Sequence, residues 1–278
     1  MQKKLYSIIL LLTLLFVSAC SPAAPAATPT TAAAAAKPTT TLTVLAAASL
    51  KESFTDMGKL FESKNPNVKV QFSFAGSQQL AQQLAQGAPA DVFASASPKY
   101  MTAAIDGKRV DKASSQVFVK NRLVVVFPKN NPAGLKELKD LSKSGIKLVL
   151  ADKSVPVGQY ALDFLTKASK DTTYGSDFKD NVVKNVVSYE QDVKSVLTKV
   201  SMGEADGGIV YTTDITSDVA NKVERIDIPD ALNTIAEYPI ATIVDAPNQS
   251  PAKDFVTLVL SAEGQQIMNK YGFITSTK

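Results

Sequence analysis

The chain has 278 residues, 45% of them hydrophobic and 20% charged, enough for one large domain or two medium ones with buried cores. It contains no His, no Trp and a single Cys. That excludes Ser-His-Asp and Cys-His catalysis, His-ligated zinc, paired-cysteine redox chemistry and an intrachain disulfide. A formal charge of +4 is too small to point to nucleic acid as a partner.

Residues 1–19 read as a secretory signal: Lys3 and Lys4 start it, an apolar run from Ile8 to Val17 follows, and Ser18-Ala19 supply small residues. The apolar run is short for a membrane-spanning helix, which needs ~20 residues. Val17-Ser18-Ala19-Cys20 resembles the bacterial lipobox, whose cysteine is lipidated and becomes the new N-terminus. An ordinary signal peptide followed by a stray cysteine is the alternative. Residues 20–41 are almost wholly Ala, Pro and Thr after the cysteine. Such a segment buries little and serves as an extended tether. The folded body is therefore expected outside the cytoplasm, held to the cell membrane through lipid on Cys20.

From Leu42 onward, short apolar runs alternate with helical periodicity. Leu42 to Ala47 predicts a strand, and Leu50, Phe54, Met57, Leu60 and Phe61 a helix that Asn65-Pro66-Asn67 stops. Val68 to Phe74 alternates as a strand, Leu80 to Ala85 continues as a helix ended by Gly87, and Asp91 to Ala94 is strand-like. Ser97-Pro98 marks the start of another helix. This βαβαβα rhythm is that of a parallel sheet covered by helices. It breaks at Gln116 to Pro128, a β-rich stretch without a helix. It then resumes with a strand at Lys147–Ala151, a helix at Val157–Ala168, a strand at Val182–Ser188, a helix at Gln191–Val200 and a strand at Gly207–Val210. A second extended stretch covers Val223 to Val244, and two helical segments, Ala252–Leu260 and Glu263–Lys270, close the chain. The expected fold is α/β in two lobes, each a mainly parallel sheet flanked by helices, joined by a two-strand hinge. Lobe 1 spans 42–121 and is completed by 239–278; lobe 2 spans 122–238. A single continuous doubly wound sheet is the alternative architecture.

One local pattern recurs: a strand runs into a helix through small or hydroxyl residues. It is seen at Ala46-Ala47-Ala48-Ser49, at Phe74-Ala75-Gly76-Ser77, at Val155-Pro156-Val157-Gly158 and at Tyr189 to Val193. In parallel α/β sheets such turns lie at the carboxyl ends of the strands, where ligands bind. The first N–H groups of a helix lack partners within it and carry the positive end of its dipole, so each turn is a ready anion site. Each residue also has a plainer role. Ser49 and Ser77 are each suited to cap a helix, Gly158 to close packing, and Tyr211 to burial as an ordinary aromatic. Asp91 and Asp214 are expected to cap turns, because their charge would repel an anion.

In order along the chain, Ala47-Ala48-Ser49-Leu50, Phe74 to Ala81, Gly87-Ala88-Pro89-Ala90-Asp91-Val92-Phe93, Val155 to Ala161, Asp192-Val193-Lys194 and Gly203 to Asp214 resemble the molybdate-binding proteins of ABC importers. The resemblance runs from about Leu42 to the C-terminus. It implies a type II periplasmic-binding-protein fold that closes on a tetrahedral oxyanion, molybdate or tungstate. Carried over by position, it implies that Ser49 and Ser77 each give a hydroxyl and a backbone N–H. Val157 and Val193 would give backbone N–H groups and Tyr211 its hydroxyl. Val157 stands where the family often has Ala, a change that leaves the N–H in place. The implied partner is an ABC permease with a cytoplasmic ATPase; no cofactor, no metal beyond the oxyanion and a monomeric receptor are expected.

Such a set offers donors only, so it suits an anion that carries no proton near neutral pH. Sulfate, or another small anion, is the nearest alternative ligand. A hydrolase would need a lysine base for its serine. Ser144-Gly145-Ile146-Lys147 has the spacing of such a pair but sits in a turn before a strand, so no enzyme activity is expected. A structural surface lipoprotein is the remaining alternative.

Overall fold

A computed structural model describes residues 39–275. The expected signal peptide, Cys20 and most of the expected tether lie outside the described residues. Strand β1 (Thr40–Ala47) begins two residues before its expected start at Leu42, within the expected tether. It leads through a 3-10 turn, Ala48–Leu50, into α1 (Lys51–Lys64). Phe54, Met57 and Phe61 recur at helical spacing and are buried, which fixes the inner face of α1. Asn65 ends the helix: its side-chain amide donates to the Phe61 carbonyl at 2.9 Å, and Pro66 cannot continue it. Then come β2 (Val68–Ala75), α2 (Ser77–Ala85), β3 (Val92–Ala94) and α3 (Pro98–Asp106). The Ser97 hydroxyl caps α3 by accepting from the Lys99 N–H, with Pro98 at the first helical position.

Two strands follow with only Arg122 between them, β4 (Gln116–Asn121) and β5 (Leu123–Pro128). After β6 (Leu148–Ala151) and α4 (Pro156–Ala168) comes a departure from expectation. Val182–Ser188, expected as a strand, is divided between α5 (Phe178–Lys184) and β7 (Val186–Glu190). Phe178 and Val182, one helical turn apart, are both buried, and Phe178 packs against Phe164 and Tyr174. Tertiary packing thus overrides the β propensity of adjacent valines. Helix α6 (Val193–Ser201) starts two residues later than expected because Asp192 is its cap, accepting from the Ser195 N–H at 3.0 Å. The chain continues through β8 (Gly207–Tyr211), β9 (Val223–Asp227), β10 (Ala236–Thr242), α7 (Gln249–Leu260), α8 (Ala262–Lys270) and β11 (Ile274–Thr275).

The strands form two sheets, ordered β11-β4-β10-β3-β1-β2 and β7-β6-β8-β5-β9, so the single continuous sheet is excluded. Each is mixed. Parallel pairing holds one side of each, β2-β1-β3 in one sheet and β7-β6-β8 in the other. The strands that carry the chain between sheets join antiparallel: β10 on β3 and β4, and β5 on β8 and β9. The chain crosses at Arg122 and again through residues 228–235. Side chains tie the two crossings together. Arg122 grips Asp230 through two hydrogen bonds of 2.9 and 3.0 Å. The buried Asn233 amide both donates to and accepts from the Leu123 backbone, at 2.9 and 3.1 Å. β10 begins at Ala236, three residues before the expected return at 239. Pro239 sits at a register shift in the β4–β10 ladder, where a residue without an N–H is tolerated. Helices α7 and α8 pack on the first sheet's side: Phe255 of α7 meets Phe54, Phe61 and Phe72.

Gly158, near the start of α4, has a packing role. A Cβ there would lie 2.1 Å from the Asp152 carbonyl oxygen and 2.4 Å from that of Ala151. The glycine lets α4 start directly against the end of β6. Gly158→Ala is expected to destabilise the protein by about 1–3 kcal/mol, measured as a lower urea midpoint at unchanged slope.

Candidate anion-binding site

The strand-to-helix turns converge. Ser49 lies in the 3-10 turn after β1 and Ser77 is the first residue of α2. Val157 is the second residue of α4, Val193 the first of α6 and Tyr211 the last of β8. All five line one small cavity, with Ala47, Ala48, Ala75, Gly76, Ala96, Val155 and Pro156. None of the five is more than 4% exposed. No lining residue carries a charge at neutral pH. Positive potential comes instead from the starts of α2, α4, α6 and the turn leading to α1. Pro156 has no N–H, so that of Val157 is the first donor of α4.

Neither serine caps its helix. The caps are Ala47 and Gly76, and the hydroxyls have other partners. Ser77 Oγ accepts the Ala96 N–H at 2.9 Å, which leaves its own proton free to donate. Ser49 Oγ lies 2.9 Å from the Tyr238 hydroxyl. The Tyr211 hydroxyl is buried and meets no hydrogen-bond partner among the described residues, which costs about 1–3 kcal/mol unless a ligand satisfies it. Burial first, then the nearby Tyr238, Tyr160 and Asp214, pushes its pKa well above the ordinary phenol value, so it remains an O–H donor. Among the described residues no base bonds either serine hydroxyl. Ser144 sits in an exposed turn, far from a helix start.

Contacts between residues of the two sheet systems enclose the cavity. Gln78 donates to the Gln191 carbonyl at 2.8 Å, Tyr160 reaches the Ala96 carbonyl at 3.5 Å, and Tyr100 bonds the Ser154 carbonyl. Gly76 is needed for this closeness, since a Cβ would fall 2.5 Å from the Gln191 carbonyl oxygen. Lys194 of α6 bridges Glu52 of α1 at 2.8 Å and Asp214 at 3.3 Å. Burial opposes charge on Lys194, but the two carboxylates outweigh it and raise its pKa. A larger cleft beside the site contains Lys51 and Lys194 but also Glu52, Asp192, Asp214 and Asp218. Four carboxylates against two lysines disfavour an anion there. Asp214 and Asp91 do structural work. Asp214 accepts the Tyr211 N–H at 3.0 Å, and Asp91 accepts from the backbones of Thr43 and Asn248 at 2.7 and 2.8 Å. Tyr238, Asn121, Ala96 and Lys194 support the site without having been read as part of it. Their partners are distant in sequence, so no local pattern marks them.

The family model described as bacterial extracellular solute-binding protein matches residues 42–274. The chain belongs to this family. As a bacterial extracellular solute-binding protein it works outside the cytoplasm, and its role is binding. It is 37% identical over 230 residues to the molybdate-binding protein ModA of Mycobacterium tuberculosis, covering 83% of each chain. It is 31% identical to a putative ABC transporter substrate-binding lipoprotein, YvgL of Bacillus subtilis, covering 83% of this chain and 85% of the relative. The solved sulfate-binding protein SubI of M. tuberculosis superposes with a TM-score of 0.76 at 19% identity, over 86% of this chain and 88% of that one. That likeness speaks to the fold alone: a type II periplasmic-binding-protein fold of two mixed sheets flanked by helices.

Proposed function

We propose that this solute-binding protein captures molybdate, and tungstate with it, between two lobes and delivers the ion to an ABC permease driven by a cytoplasmic ATPase. The lobes are residues 42–121 with 236–275, and residues 122–235, moving about the paired crossings. The observation that carries the reading is a buried cavity with no charged lining residue, lined by Ser49, Ser77, Val157, Val193 and Tyr211; on this proposal the donors are the backbone N–H groups of the first four and the hydroxyls of Ser49, Ser77 and Tyr211. Dehydrating a dianion is costly. Hydrogen bonds to a charged acceptor contribute ~1.5–3 kcal/mol each, so several convergent donors offset that cost without a cation. The relatives named for molybdate support the choice of ion. The lobes hold the ion by closing, so ligand stabilises the closed form. The protein acts as a monomeric binder with no catalytic step, anchored by lipid on Cys20 through the tether of residues 20–41; a relative named as a lipoprotein supports the anchor.

Isothermal titration of the chain with molybdate, tungstate, sulfate and phosphate tests the reading. Molybdate and tungstate are expected to bind at least about 100-fold more tightly than the other two, a gap of about 2.7 kcal/mol. Because the Tyr211 pKa is raised, its proton stays in place and molybdate affinity is expected to hold constant between about pH 6.5 and 9. Tightest binding of sulfate, or a fall in affinity across that range, would refute the assignment.

A further inference from the structure

The Ser49 hydroxyl does not choose its own direction, because a chain of side chains leads to it from the first crossing between the sheets. Asn121 is the last residue of β4 and 1% exposed. Its Oδ1 accepts the Arg122 N–H at 2.9 Å, which settles which end of the amide is the acceptor. Its Nδ2 therefore faces Thr213 Oγ1 at 2.8 Å and the Tyr238 hydroxyl at 3.4 Å, donating to both. A phenol that accepts from Asn121 still has its own proton to donate. Ser49 Oγ, 2.9 Å away, lies where it can receive that proton. Ser49 then has its oxygen engaged and its proton left for the cavity. Tyr238 is buried with 0% exposure, and its ring packs edge-on against that of Tyr211 at 5.8 Å between centroids.

We infer that Asn121 and Tyr238 are positioning residues that hold the Ser49 hydroxyl as a donor, so that the cavity rejects an anion whose own proton needs an acceptor. Ser77 is held in the same sense by the Ala96 N–H, and the Tyr211 hydroxyl has no other partner among the described residues. All three hydroxyls then present protons, and a hydrogen phosphate finds no oxygen to receive its own. The inference rests on the oxyanion reading proposed above.

A double-mutant cycle on the full chain tests it, with molybdate and hydrogen phosphate as ligands and titration calorimetry as readout. Tyr238→Phe keeps the ring and removes only the hydroxyl. A hydroxyl rotor has about three staggered positions, so freeing it is expected to weaken molybdate binding by about three- to tenfold. Ser49→Ala weakens it more, and adding Tyr238→Phe to Ser49→Ala is expected to cost nothing further. In Tyr238→Phe alone, preference for molybdate over hydrogen phosphate narrows, because Ser49 is free to accept. A purely structural role for Tyr238 would lower affinity by the same factor in both backgrounds and leave that preference unchanged, and would overturn the inference. Asn121→Ala provides a second arm if Tyr238→Phe folds poorly: its loss must vanish in the Ser49→Ala background, and an additive loss overturns the inference. A wild-type chain that binds molybdate with additive losses sinks this inference alone. One that binds no oxyanion sinks the receptor reading with it.

Discussion

Tyr211→Phe is expected to weaken molybdate binding by roughly 10- to 100-fold while the unliganded protein becomes slightly more stable. The two effects have one cause. The hydroxyl is buried without a partner among the described residues, so without ligand it is a desolvated donor that costs about 1 kcal/mol or more. Phenylalanine keeps the ring's contact with Tyr238 and removes that cost. With ligand bound, the variant lacks one hydrogen bond to a charged acceptor, worth ~1.5–3 kcal/mol. Calorimetric melting with and without molybdate reads both at once: a higher melting temperature unliganded and a smaller ligand-induced rise. A variant that loses stability unliganded and binds as wild type would place the hydroxyl in the core and outside the site.

Val193→Pro is expected to weaken binding by a similar 10- to 100-fold through loss of a single backbone hydrogen. Val193 is the first residue of α6, where proline fits a helix without breaking an internal bond. Asp192 before it is already extended, at φ −157° and ψ 167°, as a residue preceding proline must be. Val193→Ala keeps the N–H and shortens the side chain, and is expected to bind within about threefold of wild type if the amide is what matters. Equal affinities for the proline and alanine variants would contradict a role for that amide. Equilibrium dialysis with both variants decides it.

Much of this was legible in the chain. The alternation from Leu42 to Ala94 announces a strand-helix rhythm, and the strand-rich stretches Gln116–Pro128 and Val223–Val244 coincide with the crossings between sheets. These features depend on local pattern: period-2 or period-3.6 burial, a Ser-Pro helix start, an Asn-Pro stop. Small and hydroxyl residues at the strand ends marked the turns that line the cavity, because helix starts need such residues. What local pattern does not carry is long-range partnership. Ser49 and Ser77 look like helix caps in sequence, yet their oxygens are held by Tyr238, 189 residues on, and by Ala96. Helix α5 was hidden for a related reason, since its valines favour a strand until Phe178 finds Phe164 across the fold. The antiparallel strands on the other side of each sheet likewise depend on where the chain returns, which periodicity alone does not encode.

The central claim is that amide and hydroxyl hydrogens, with no cation, hold the ion. An anomalous difference map collected at the molybdenum absorption edge, from crystals grown with molybdate, tests it most directly. It should show one strong peak between Ser49, Ser77, Val157, Val193 and Tyr211, with each oxygen of the ion facing N–H or O–H groups only. A peak in the neighbouring cleft against Lys51 or Lys194, or any lysine, arginine or metal touching the ion, would contradict it.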